Sequence, residues 1–391
     1  MKTVKTIILS MMYLSSILPA QEYKKIHEDA IVIDTHNDVL LRAMDGEDLS
    51  HRTINGHSDL DRLKEGGVDV QIFSVWCGED YGKGTAFNRA NRMIDTLESL
   101  VKRNPSKISL ARTIDQIHSV LRQHKIAALI GVEGGHMIED SLSYLDSLAA
   151  RGMKYLTLTW NNSPSWATSA ADETEKGDLL SFKGLTELGK KVIHRLNELG
   201  VMVDLSHVGE KTFWDAIETT NKPVIVSHSS VYSICPNRRN LKDDQIRAVA
   251  KNNGVICVNF YSGFLDSSYD RKAAEIRRTN SHLIDSIDRL YSEHYRASSI
   301  IDSLLMPQYQ SIRPPLSLLI DHIDYFVKMA GIDHVGIGSD FDGVESVPRD
   351  MDDVTFLPNI TRELIKRGYT ITDIKKILGG NVLRVLQANL H

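Results

Sequence analysis

Short runs of apolar and β-branched residues recur between Ala30 and Asp340, usually separated by stretches whose apolar positions repeat every three or four residues. Runs of this length suit strands buried on both faces, and the intervening pattern suits helices that cover them. The runs are Ala30–Thr35, Val68–Val75, Ala127–Val132, Lys154–Thr159, Val201–Leu205, Pro223–Ser227, Val255–Phe260 and His334–Ser339, eight in all. The helical stripe is clearest at Leu185, Leu188, Val192, Leu196 and Leu199, which stops at Gly200, and again over Gln245 to Lys251, closed by Gly254. Glycine just past the last turn is a common helix stop. Eight such units predict an α/β fold, a closed (β/α)8 barrel of the TIM type rather than an open doubly wound sheet. No G-x-G-x-x-G follows the first run to support a dinucleotide site.

The polar residues at the ends of these runs carry the functional signal. His36 and Asp38 end the first, Glu133 the third, Trp160 the fourth, His207 the fifth, His228 the sixth and Asp340 the eighth. A lone histidine at a strand end is more often a hydrogen-bonded structural residue than a ligand. In a barrel, however, all C-terminal strand ends open onto one face, where residues distant in sequence converge. Three imidazoles and two carboxylates, those of Asp38 and Glu133, exceed what one tetrahedral zinc needs and suit two metals that share a bridging carboxylate. Asp34 and Asp204 stand inside strand-like runs, where a buried charge is costly unless used. Orienting metal-bound histidines is one use and a polar layer in the barrel is the other. His136 in Glu133-Gly134-Gly135-His136 has no single reading, and the two glycines give the chain room to turn near the metals.

A long segment, Ser262 to about Gly331, separates the seventh and eighth runs, with a charged helical stretch expected from Asp270 to Ser303. Its length exceeds an ordinary βα connection, so it is read as a rim or lid on the cleft, or as a dimer contact or solvated excursion. The polar segment from Asn161 to Gly177 follows the fourth run and is expected to be a mobile substrate loop.

Composition narrows the class. With 42% hydrophobic and 25% charged residues the chain is that of an ordinary folded protein. No basic stripe with interleaved aromatics points to nucleic acid. Residues 1–20 read as a signal peptide, with Lys2 and Lys5 before a largely apolar stretch and Leu18-Pro19-Ala20 before the cut. Residues 21–391 are then expected to be a single metal-dependent barrel domain, exported to a periplasm or the medium without a transmembrane anchor. Losing two lysines and no acid takes the formal charge from -5 to -7. Cys77, Cys235 and Cys257 are too few for a disulfide framework.

With these residues in view, the chain resembles the membrane dipeptidase (renal dipeptidase) family of zinc-dependent metallopeptidases. The likeness runs through Asp34-Thr35-His36-Asn37-Asp38, Glu133-Gly134-Gly135-His136, Tyr155-Leu156-Thr157-Leu158-Thr159, Asp204-Leu205-Ser206-His207, Ser227-His228-Ser229-Ser230, Arg238-Arg239-Asn240, Val258-Asn259-Phe260-Tyr261 and Gly336-Ile337-Gly338-Ser339-Asp340-Phe341-Asp342-Gly343. The resemblance implies a (β/α)8 barrel, commonly a homodimer, with two Zn2+ per subunit. One ion would be held by His36 and Asp38, the other by His207 and His228, with Glu133 bridging. It implies that Arg239 takes the substrate carboxylate and that Asp340 is the catalytic acid/base. The chain departs from the pattern at Trp160, where well-known members carry a substrate-contacting histidine. An indole donates a hydrogen bond but does not titrate near neutral pH. The cysteine that some members carry two positions later is Asn162 here, so no disulfide from Cys77 to this loop is expected.

The expected chemistry is hydrolysis of a dipeptide amide bond by a hydroxide held between two metals, with Asp340 moving the proton to the leaving amine. Asp342 competes with Asp340 for that role, and Arg238 is a weaker candidate than Arg239. The alternatives are a two-metal amidohydrolase for N-acyl amino acids, cyclic amides or phosphoesters, and an exported binding protein that has lost catalysis. A serine hydrolase lacks its G-x-S-x-G elbow.

Overall fold

The structure, a computed structural model, describes residues 20–291 and 294–390. The expected signal peptide lies outside the described residues, apart from Ala20, which opens the helix Ala20–Glu28. Among the described residues nine parallel strands form one sheet: β1 (Ile33–Asn37), β2 (Val70–Trp76), β3 (Ile108–Leu110), β4 (Ile126–Glu133), β5 (Met153–Thr157), β6 (Met202–Asp204), β7 (Ile225–Ser229), β8 (Val255–Val258) and β9 (Val335–Ile337). Eight of them close a barrel in the order β1, β2, β4, β5, β6, β7, β8, β9, with β9 returning to pair with β1. The expected (β/α)8 barrel is therefore present. The sequence pattern missed β3, a three-residue strand that pairs with the start of β4 below the point where β5 joins it.

Alternation along the strands sorts the core into two layers. Ile33, Val70, Ile72, Ala127, Leu129, Tyr155, Met202, Ile225, Val255 and Cys257 fill the barrel, and Val382, Val385 and Leu386 of the last helix plug its lower end. The alternate residues, such as Phe73, Val75, Ala128, Ile130, Ile256 and Val258, meet the surrounding helices. Those helices stop where the pattern says. The helix Glu187–Leu199 starts at Thr186, whose hydroxyl accepts from the Gly189 N–H, and ends at Gly200 with φ of 69°.

Two breaks in this alternation serve the site. Counted strictly from inward-facing Ile33, His36 would turn away from the barrel axis, and counted from Ile225, so would His228. The register shifts between Asp34 and Asn37 in one strand and between Val226 and Ser229 in the other. These irregularities re-aim a side chain, as bulges beside active sites do, and the two imidazoles meet with ring centroids 3.9 Å apart.

The segment after β8 forms the helices Ser262–Leu265, Tyr269–Thr279, Ser281–Leu290 and His294–Ile312. The last two share a separate apolar cluster of Ile287, Ala297, Ile301, Leu305 and Tyr309, against which Ala273 and Ile276 of Tyr269–Thr279 pack. The segment after β5 differs from the mobile loop expected. Trp166, Ala167, Thr168 and Ser169 are buried, and the Ser169 hydroxyl caps the helix Ala170–Glu175. Among the described residues no helix is long and apolar enough to cross a membrane.

Candidate metal centre and cleft

His36, Glu133 and His228 occupy the last residues of β1, β4 and β7, while Asp38, His207 and Asp340 stand in the first turns after β1, β6 and β9. All lie at the C-terminal mouth of the barrel, and all are 9% exposed or less. His207 and Asp340 have φ of 64° and 61°. Such left-handed backbone is uncommon outside glycine and asparagine and persists where the surroundings enforce it.

Glu133 is the hub of the cluster. Its Oε2 lies 3.3 Å from His36 Nε2, and its Oε1 lies 2.9 Å from His207 Nε2 and 3.5 Å from His228 Nε2. Asp38 Oδ2 stands 3.4 Å from His36 Nε2. One carboxylate thus faces different imidazoles through its two oxygens. Donor atoms of His36, Glu133 and His228, and of His36, Asp38 and Asp340, fall within 4.8 Å of one another.

The far side of two rings is fixed by hydroxyls. The Tyr155 hydroxyl donates to the Thr35 carbonyl at 3.0 Å, so its lone pair is left for His36 Nδ1–H at 2.8 Å. Ser227 Oγ donates to Asp204 Oδ2 at 2.6 Å and stands 2.9 Å from His228 Nδ1. Both arrangements put the proton on Nδ1 and leave the Nε2 lone pair facing Glu133. Tyr155 reaches His36 across the barrel because Gly131 of β4 has no Cβ, which would otherwise overlap the tyrosine ring. Asp204 therefore reaches a histidine through Ser227. Asp34 instead accepts from the Ser339 N–H at 2.8 Å and hydroxyl at 2.7 Å, tying β1 to the turn that carries Asp340.

The donor set fits divalent cations. His36 Nε2 and Asp38 Oδ1 are buried without a hydrogen-bond partner, and the carboxyl groups of Asp38, Glu133 and Asp340 crowd one desolvated volume. Burial works against a charge on His36, yet Tyr155, Glu133 and Asp38 together raise its pKa well above the ordinary value. The surroundings thus favour positive charge at that nitrogen. Burial pushes His207 down to about 4 and lowers His228 as well, which keeps both imidazoles neutral, the form that binds a metal.

Asp340 is raised to about 8, first by burial and then by Asp38 and Glu133 against the opposing pull of His36. Its Oδ2 accepts from the Asn259 side-chain amide at 2.7 Å. Asp342 is engaged elsewhere, with Oδ1 accepting from the His57 N–H at 2.8 Å and from Arg42 at 3.2 Å. His136 turns away, its Nε2 3.1 Å from the Cys77 carbonyl, and a Cβ on Gly134 would strike its ring.

Above the cluster lies a cavity of about 710 Å³, lined by Trp76, Trp160, Arg239, Tyr261, Phe264 and Asp340 among others. Arg239 is buried, donates to the His228 carbonyl at 3.3 Å and stands 5.4 Å from the Phe264 ring centroid; its Nε has no partner. Burial lowers it to about 10, so it remains cationic at neutral pH. Arg238 is spent on a surface ion pair with Glu175. Among the described residues, the long segment after β8 reaches this cavity only through its first residues, to Asp270.

Sequence reasoning brought together the residues that converge here but missed their supports: Tyr155, Ser227 and Asn259. The first two carried a faint signal, a tyrosine inside an apolar run and a serine directly before His228. All three cysteines are free.

Residues 20–390 match the family model described as membrane dipeptidase (peptidase family M19). An uncharacterised dipeptidase of Schizosaccharomyces pombe is 33% identical over 387 residues, which cover 94% of this chain and 82% of the yeast protein. Among solved structures, the probable dipeptidase PvdM of Pseudomonas aeruginosa superposes with a TM-score of 0.78 at 26% identity, over 95% of this chain and 98% of that one. A metallopeptidase of Rhodobacter sphaeroides, liganded with a phosphinate mimic of L-Ala-D-Ala, shares the fold at a TM-score of 0.76 and 23% identity, over 92% of this chain and all of that one. The chain is a hydrolase of the membrane dipeptidase family, peptidase family M19, whose members are metallopeptidases.

Proposed function

We propose that the protein is a zinc-dependent dipeptidase that hydrolyses the amide bond of small dipeptides at the barrel mouth. The observation that carries this reading is the position of Glu133, whose two carboxylate oxygens face different imidazoles within one buried cluster. His36 and Asp38 would hold one zinc ion, His207 and His228 a second, and Glu133 would bridge them. When bound, such a pair polarises the scissile carbonyl and lowers the pKa of a water to about 7.

The chain's own groups do the rest. Arg239, desolvated and with an unpaired Nε, clamps the substrate's terminal carboxylate through parallel N–H donors. Asn259 donates to Asp340 Oδ2, so the transferable proton sits on Oδ1. From there Asp340 protonates the departing amine, and its raised pKa suits a group that must hold and release a proton near neutrality. Glu345 lines the same cavity and favours a substrate with a free ammonium over an N-acyl compound. The apolar faces of Trp76 and Trp160 favour the second reading, an amidohydrolase for N-acyl amino acids.

We further propose export after cleavage near Ala20, with residues 21–391 acting as one domain, and a homodimer as the working assembly. The test incubates zinc-loaded protein with L-L and L-D dipeptides and N-acyl amino acids, with and without chelator. Chelator-sensitive cleavage of the free dipeptides is expected. Cleavage of N-acyl compounds alone would favour the second reading, and no metal-dependent amide hydrolysis at all would sink both.

A further inference from the structure

Going round the barrel mouth, Trp76 ends β2, Glu133 ends β4 and Trp160 follows β5. Arg239 follows β7, and Tyr261 and Phe264 follow β8. In the closed ring the sector centred on β4 lies opposite the one centred on β8. β2 likewise lies opposite β7, so Trp76 stands across the mouth from the strand that precedes Arg239, and Trp160, after β5, stands two strands round from it, beside the metal-ligand cluster.

The indoles form a fixed pair. Trp160 meets Trp76 edge to face, with centroids 5.0 Å apart and planes at 63°, and lies 6.3 Å from the His207 ring. A Cβ added at Gly134 would meet that of Trp160 at 3.4 Å. Leu41, from the helix after β1, extends the apolar surface, and all three side chains line the cavity. At about 710 Å³ the cavity falls in the range of ligand sites that enclose a small molecule.

We propose that Trp76 and Trp160 form an aromatic wall that selects dipeptides whose N-terminal residue carries an aromatic or bulky apolar side chain. The proposal rests on the dipeptidase reading. With its carboxylate on Arg239 and its scissile bond over the cluster, a dipeptide carries its N-terminal side chain away from the arginine, toward Trp76 and the Trp160 ring packed against it. A ring placed there leaves water and packs against two indole faces, whereas a glycine leaves the wall wetted. Trp160 acts in this scheme as a specificity determinant and touches no proton that moves.

The experiment measures kcat and KM of the zinc-loaded enzyme for L-Phe-Gly, L-Leu-Gly, Gly-Gly and Gly-L-Phe, in wild type and in Trp160→Phe, Trp160→His and Trp160→Ala. The wild type is expected to favour L-Phe-Gly over Gly-Gly by about tenfold or more in kcat/KM, mostly through KM, and over Gly-L-Phe as well. Trp160→Phe should keep the preference, and Trp160→His and Trp160→Ala should bring it close to one. A purely structural role for Trp160 would lower all four substrates together and leave the ratio unchanged, which overturns the proposal. So does equal use of all four by the wild type, or a preference for Gly-L-Phe. Cleavage of none of the four overturns the dipeptidase reading with it, whereas cleavage without preference overturns this proposal alone.

Discussion

At the barrel mouth, ionisable side chains with almost no exposure are held by partners anchored on other strands: His36 by Tyr155, Asp340 by Asn259, and His228 by its neighbour Ser227, which Asp204 of β6 holds in turn. In the excursion after β8, three helices pack around five buried residues and carry their charges on exposed faces, as in the pair of Arg278 with Glu275. Within the mouth, buried acids repel one another and two residues hold left-handed backbone, costs that the rigid barrel around them can bear. In the excursion local packing satisfies itself, and of the described residues only those up to Asp270 reach the cleft. Chemistry is thus concentrated where the fold enforces geometry, and the appended helices can vary without disturbing it.

Replacing a group at the centre of the mouth is the strongest way to sharpen this contrast. Asp340→Asn keeps the shape and removes the transferable proton, so kcat should fall by roughly 10²–10⁴-fold. Metal analysis should still find the wild-type content, because in our assignment Asp340 is not a ligand. Retained turnover would refute the assignment and return Asp342 to consideration.

One step out, Tyr155→Phe removes the acceptor for His36 Nδ1–H and leaves the packing nearly unchanged. Loss of such a partner typically weakens metal affinity by about 10–100-fold. Titration of metal-free protein with zinc should show that loss, and activity should return at higher zinc. An unchanged affinity would mean that the tyrosine only fills the barrel.

These supports explain what was legible in the sequence and what was not. The strands were readable because parallel strands buried on both faces are continuous apolar runs, and their functional ends because His36, Glu133, His207, His228 and Asp340 interrupt that apolarity. The pairing of Tyr155 with His36 spans 119 residues and depends on Gly131 lacking a side chain, which no local pattern encodes. The register shifts at His36 and His228 are equally invisible, since strict alternation points both rings the wrong way. β3 escaped because three residues are too few to establish a period. The same limit applied to Asp34 and Asp204, two buried acids alike in sequence context, of which one braces a turn and the other reaches a histidine through Ser227.

Further from the chemistry, His322 joins the two regions. It lies in the helix Leu316–Ala330, its Nδ1 accepting from the Val231 N–H at 3.0 Å and its Nε2 donating to the Leu265 carbonyl at 3.1 Å. That pairing requires a neutral ring, and burial lowers its pKa to about 4. The unfolded chain then binds the extra proton between about 6.5 and 4. Stability from this residue is complete above about pH 6.5 and is lost as pH falls through that window, by about 3 kcal/mol in all. His322→Gln keeps one acceptor and one donor and cannot titrate. Denaturant melts at pH 7 and pH 4.5 should therefore show a smaller loss in the variant than in wild type, and equal losses would remove His322 as the cause.

The smallest effect on catalysis is expected where the excursion is most independent. Leu305 is 1% exposed and sits at the centre of the satellite cluster. Truncating a buried leucine to alanine costs about 2–5 kcal/mol where the site cannot collapse, enough to loosen helices held by so few buried residues. Limited proteolysis of Leu305→Ala should cut between Tyr269 and Ile312 sooner than in wild type. The melting of the barrel and kcat/KM should stay within about twofold of wild type, because sites far apart without shared partners act independently. A large fall in kcat/KM would mean that the outer helices hold Tyr261 and Phe264 in place over the cleft, and the division between the two regions would have to be redrawn around Arg239.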